Sequence, residues 1–249
     1  MIKINSIIYV ILFSIILMGC GRNNLKPVKL EFFETYSFPE ISAQYGFAVT
    51  LSHHNELTSV DSIFHYLAEF KKEDSLGGIK TKGLEDLIKS GTSNTIGYVY
   101  VKDTSKVNSI LKRKDIQQLF PKDLQFVWSA KEEKTVFDPR LKMYILYAIR
   151  IPENGIARVN GKHIKTAVAE FNEISNSMMI DLEMTEEGSE ILETMTRENL
   201  QKTIAICADR KVISAPLVFN AIVGGKTQIS GDFSEEEAEE LVASIMAGK

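Results

Sequence analysis

The sequence predicts an α+β fold built from two small sandwich subdomains, and three observations carry that reading. Apolar residues recur with strand and helix periods by turns in both halves of the 249-residue chain. A turn-rich break at Ile151-Pro152 and Asn154-Gly155 separates those halves. The composition, 44% hydrophobic and 25% charged, suits a chain that buries a core. We therefore expect a leader at 1–19, a tether at 20–27, and subdomains at 28–152 and 153–249.

Charge and hydropathy set the leader apart. Lys3 precedes an apolar run from Ile7 to Met18, and no acid occurs before Glu31, which is the layout of a secretory signal peptide. The run falls short of the roughly 20 residues a bilayer-spanning helix needs, so cleavage is expected rather than a permanent span. It ends in Leu17-Met18-Gly19-Cys20, which resembles the bacterial lipobox and implies acylation of Cys20. At about 0.8 kcal/mol per buried methylene, two or three acyl chains hold a protein on a bilayer.

In the first subdomain Lys29 to Phe33 read as a strand. Thr58 to Lys72 read as a helix on Val60, Ile63, Phe64 and Leu67. A glycine-bearing stretch follows, partly helical around Leu84 to Ile88, then a strand at Ile96–Val101 and a helix at Thr104–Leu111 with Val107, Ile110 and Leu111 on one face. Leu124–Trp128 and Met143–Ile149 read as strands.

The second subdomain opens with turns at Asn154-Gly155 and Asn160-Gly161, where a linker or hinge is expected, and a helix near Ile164–Phe171. Met178–Met184 alternates as a half-buried strand, and Thr185 caps a helix with Ile191, Leu192 and Met195 inward. Strands are expected at Thr203–Ala208, Val212–Ser214 and Thr227–Ser230. The last helix has a Ser234/Glu237 capping box, an apolar stripe through Ala238, Leu241, Val242, Ile245 and Met246, and Gly248 at its end.

Little in the chain reads as reactive chemistry. Gly224-Gly225-Lys226-Thr227 ends like a phosphate loop, but Asn220 stands where the first glycine belongs and a strand follows, so a tight turn is expected and no nucleotide. His53, His54, His65 and His163 form no metal-binding pattern, so no metal or other cofactor is expected. Ser214 lies outside any nucleophile elbow, and the acidic runs at Glu186 and Glu235 begin helices, where they suit the dipole. Cys207 sits in an apolar strand and reads as a buried thiol. A net charge of −4 argues against nucleic acid. From Glu153 onward 17 acids face 9 bases, which suits either a merely solvated surface or a basic partner for this half.

Several motifs in this order resemble the head of the first periplasmic domain of SecD, a partner of the Sec export channel. They are Glu187-Gly188, Thr196 with Asn199, Ile204 through Asp209, Val212-Ile213-Ser214-Ala215-Pro216, Ile229-Ser230-Gly231, Phe233 through Ala238, and Ala247-Gly248. Leu30 through Tyr36, Asp103 through Asn108, Phe120-Pro121 and Phe126-Val127-Trp128 resemble the base of that domain in fused SecD–SecF proteins. Arg210 stands where the family has glycine, and Ile213 replaces its tyrosine.

The resemblance implies two ferredoxin-like sandwiches, base and head, able to swing about a hinge. It implies no enzyme activity and a non-catalytic binding role toward unfolded secreted polypeptide or Sec translocon subunits, with Ser214, Ala215, Pro216 and Phe219 as candidate contacts. A bacterial envelope lipoprotein facing the periplasm follows, with a lipid in place of the family's membrane helices and no proton coupling. A further base strand would belong after Lys249, so an open edge is expected in the base. The alternatives are a scaffold for an unrelated envelope partner and a competitor that restrains export.

Overall fold

A computed structural model describes residues 25–36, 88–90, 95–118, 120–134 and 141–249. The leader, Cys20, the helix expected at Thr58–Lys72, the segment near Leu84, and His53, His54 and His65 lie outside the described residues.

Among the described residues three antiparallel sheets and four α-helices make up a mixed α/β fold. The first sheet runs β2 (Ile88–Ser90), β3 (Gly97–Tyr100), β6 (Lys142–Arg150), β4 (Leu124–Trp128), with β5 (Glu133–Lys134) also on β6. Helices α1 (Thr104–Leu111) and α2 (Lys114–Gln117) cover one face of it. Val107 and Leu111, four residues apart on α1, share a core with Ile116, Phe120, Val99, Leu146 and Ala148.

The second sheet holds β1 (Leu30–Glu34) between β7 (Val159–Asn160) and β10 (Ile204–Ala208), with β11 (Lys211–Ser214) outside β10. Both central strands are unbroken buried runs, LEFF in β1 and IAIC in β10. Such runs belong to strands covered on both faces. One face of the sheet packs Leu30, Phe32, Ile204 and Ile206 into the largest core, and the other packs Phe33, Ala205 and Cys207 against Val127, Tyr147 and Ile149.

The third sheet orders β12 (Lys226–Ser230), β9 (Ser177–Met184) and β8 (Ile164–Asn172). Ile180, Leu182 and Met184 alternate into the largest core, as expected of β9, and α3 (Glu186–Glu198) and α4 (Glu235–Ala247) pack there too. Thr185 Oγ1 accepts from Gly188 N–H, and Ser234 and Glu237 form the reciprocal capping box. Gly224 and Gly225 turn at φ +80° and +66° into β12, positions that favour glycine.

Two expectations change. Residues 164–172 form a strand and not a helix. By chain order β1 was placed with the first subdomain, but it pairs with β7 and β10 of the second. At the turn between the halves Ile151 N–H donates to the Asp123 carbonyl at 2.7 Å, Gly155 N–H to the Pro152 carbonyl at 2.7 Å, and Arg210 Nη2 to the Gly155 carbonyl at 3.1 Å.

Candidate binding groove at the seam between the sheets

Two bridges stitch the first two sheets together, Thr35 to Ile149 and Ser129 to Val212. The second is parallel, and Ala130 N–H donates to the Val212 carbonyl at 2.7 Å. Strand β11 is the outer strand of its sheet, so Ser214 lies beyond that bridge on an edge. Beside it runs an open groove of about 440 Å³, with Tyr147, Val212, Ile213, Phe233 and Leu241 among its apolar walls.

The groove's charges are arranged unevenly. Lys131, its one basic lining residue among the described residues, is held by Glu237 at 2.6 Å, by the Asp232 carbonyl, and over the Phe233 ring at 5.0 Å. Glu132 pairs outward with Lys142 at 2.7 Å. Glu133, Asp232 and Glu240 also line the groove and give it an acidic rim. Salt bridging to Lys131 holds the Glu237 carboxyl below the usual carboxylate range. Burial, then the charges of Tyr98 and Glu133, push the Tyr147 hydroxyl up to about 12.

Beneath the seam Glu31 is fully buried. Neither of its oxygens makes a well-formed hydrogen bond, yet Oε1 lies 2.8 Å from Lys29 Nζ and Oε2 lies 3.1 Å from Arg210 Nε. At these distances the two cations pair the carboxylate by charge, Coulomb attraction depending on separation and surroundings. The Arg210 guanidinium also covers the Phe33 ring at 4.7 Å and approaches Gln125 Oε1 at 3.5 Å. Burial, then Glu31, push the neighbouring Cys207 thiol up to about 12, against the opposing charge of Arg210.

The sequence-derived contacts separate here. Ser214 lines the groove, while Ala215 packs on the seam core. Pro216 is exposed with its carbonyl taken by Ile204 N–H, and Phe219 is 66% exposed away from the groove lining. The sequence does not point to Lys131 or Tyr147, and Phe233 stands out only within the Phe233-to-Ala238 motif. They come from three distant stretches, and no local spacing links them. His163 is buried, and its Nδ1 accepts from Asn160 N–H at 3.1 Å. Among the described residues no three His, Cys, Asp or Glu side chains gather as for a metal ion, and no helix is long and apolar enough to cross a membrane.

Fold and groove together define a mixed α/β module whose sheets meet at a shared seam. Residues 151–249 match the family described as SecDF, P1 head subdomain. The protein translocase subunit SecD of Rhodothermus marinus is 31% identical over 158 residues, covering 64% of this chain and 24% of the relative. SecD of Calditerrivibrio nitroreducens is 36% identical over 92 residues, covering 37% of this chain and 18% of the relative. The chain thus spans a quarter or less of the length of these relatives. A crystal structure of SecDF in a super-membrane-facing form superimposes with a TM-score of 0.38 at 19% identity, over 90% of this chain and 29% of that one. A structure of SecDF described as a membrane component that enhances protein export gives 0.36 at 19% identity, over 88% of this chain and 94% of that one. The chain is thus similar to SecD over residues in both halves, and residues 151–249 match the SecDF P1 head.

Proposed function

We propose that this protein is a non-catalytic lipoprotein of the bacterial envelope, tethered through Cys20 and facing the periplasm, that holds translocating polypeptide or a Sec subunit as an accessory of protein export. The match of residues 151–249 to the SecDF P1 head carries the reading. The seam groove supports it, because an outer strand beside apolar walls suits an extended segment, which gains main-chain hydrogen bonds from a sheet edge and side-chain burial from the groove. A base and head division near 152/153, with β1 paired into the head's sheet, belongs to the same proposal, as does the contact role of Ser214, Ala215, Pro216 and Phe219.

Photocrosslinking in living cells tests it. A crosslinker at Ser214 is expected to trap a secreted chain or a Sec subunit, and one at Phe219 to trap less. Only background envelope proteins at both positions would reject the export role. Cys20→Ala is expected to release a folded, soluble protein with impaired function; full function without the tether would reject the lipid's part. A second reading, a scaffold for one unrelated envelope partner, draws on Arg210 and Ile213, which depart from the family at the turn and strand beside the groove. Repeated recovery of a single non-Sec protein would favour it.

A further inference from the structure

A second cleft lies on the first sheet, apart from the seam groove and independent of the export reading. Among the described residues strand β4 ends the order β2-β3-β6-β4, so one of its edges faces away from β6. Ile151 N–H donates to the Asp123 carbonyl at 2.7 Å just before the strand, and Ser129 N–H donates to the Ile145 carbonyl at 2.8 Å just after it. Backbone groups of alternate residues face the partner in an antiparallel ladder. With 123 and 129 turned toward β6, residues 125 and 127 turn the same way, and the groups of Leu124, Phe126 and Trp128 point outward.

Two parts of that outer edge are occupied. At the Trp128 end β11 arrives through the Ser129–Val212 bridge, and at the other end Leu124 N–H folds back onto the Pro121 carbonyl at 3.0 Å. Between them the N–H and C=O of Phe126 border an open cleft of about 500 Å³. Its floor is apolar, with Leu111 and Leu124 beside Phe120 and Phe126, whose rings meet edge to face at 5.0 Å. Lys112 and Lys122 stand exposed on the rim, and among the described residues no acid lines it. Asp123, next in sequence, is turned away to the Tyr36 hydroxyl at 2.8 Å and Arg150 at 4.0 Å. In a chain of net charge −4 this is a local basic site, opposite in sign to the rim of the seam groove.

We propose that the β4 edge takes an extended acidic segment of a partner polypeptide as an added strand. The segment's main chain pairs with Phe126, its apolar side chains rest on Phe120 and Phe126, and its carboxylates reach Lys112 and Lys122. Open edges are templates for strand addition, and the two lysines select the sign of what is added.

Fluorescence polarisation with the purified full chain and labelled eight-residue peptides tests this. A peptide alternating Val and Glu is expected to bind, one alternating Val and Lys to bind far less, and the Glu peptide with a central proline to lose binding because proline cannot donate to the ladder. Lys112→Glu with Lys122→Glu is expected to weaken the Glu peptide by about tenfold, as loss and reversal of two rim charges implies. Both side chains are exposed, and an unchanged circular dichroism spectrum establishes that the fold survives. Ser214→Arg, in the seam groove, is expected to leave binding unaltered. Equal binding of Glu and Lys peptides overturns the charge selection, and retained binding of the proline peptide overturns strand addition. Loss through Ser214→Arg alone moves the peptide to the seam groove, and no binding of any peptide overturns the site.

Discussion

Arg210 occupies a backbone conformation that an ordinary side chain avoids, with φ +64° after Asp209 at +49°. Two consecutive left-handed residues joining β10 to β11 form the kind of hairpin turn that favours Asn-Gly or Asp-Gly, and the departure from glycine therefore carries strain. What offsets the strain is the work of the guanidinium beneath the seam, where it meets buried Glu31, the Phe33 ring and the Gly155 carbonyl. Arg210→Ala keeps the strained φ and removes the partner. It is expected to lower unfolding free energy by about 3 kcal/mol in urea titrations, the low end of the range for orphaning a buried charge, because Lys29 remains. Glu31→Gln combined with Arg210→Ala should recover part of that loss. A single variant that costs under about 0.5 kcal/mol, a typical surface change, would show that Glu31 needs no guanidinium.

The start of α3 depends on a contact too close for any side chain but hydrogen. A Cβ on Gly188 would sit 2.7 Å from both the Cβ and the carbonyl oxygen of His163. His163 in turn caps its own short turn by accepting from Asn160 N–H, while its Nε2 is buried without a hydrogen bond, 3.9 Å from Glu187. Burial, then the charge of Lys162, lower its pKa below the usual 6.5, with Glu187 opposing. The unfolded chain then binds the proton more readily than the folded one. The stability contributed by neutral His163 is full above about pH 6.5 and is lost as pH falls toward the folded value. Urea midpoints of the wild type are expected to drop across that window more steeply than those of His163→Asn; parallel curves would acquit the histidine.

At the same scale the sequence was legible wherever one element's own spacing decides burial. The bounds of α1 and the caps of α3 and α4 follow from local pattern and appear as expected. Strand β8 misleads because a register shift between Ile164 and Thr166 puts Ile164 and Ala167, three apart, on one buried face. With Val168 and Phe171 that spacing imitates a helix stripe, although those two are 48% and 57% exposed. The place of β1 was illegible for another reason, since a run buried on both faces does not name its neighbours. The same holds for the groove, of which the sequence indicated Ser214 and not the residues facing it.

Across the whole molecule the decisive feature is the core shared by the two halves. Phe33, Ala205, Cys207 and Val212 pack with Val127, Tyr147 and Ile149, so parting the first two sheets exposes apolar surface from both sides. The Lys131–Glu237 contact adds a latch across the groove, though an exposed ion pair contributes about 1 kcal/mol or less. The burial outweighs the latch, and the halves are expected to unfold as one unit. Two native reporters allow a test, because Trp128, the sole tryptophan, lies in the first sheet and Cys207 lies in the seam. Cys20→Ala leaves Cys207 as the only thiol. Buried and with its pKa pushed up to about 12, that thiol is expected to resist alkylation at pH 8 until the seam opens, since the thiolate is the reactive form. In a urea series, Cys207 labelling and Trp128 fluorescence should then share one midpoint. Labelling that rises while Trp128 remains native would mean that the seam opens as a hinge, and Lys131→Ala should then advance it to lower urea.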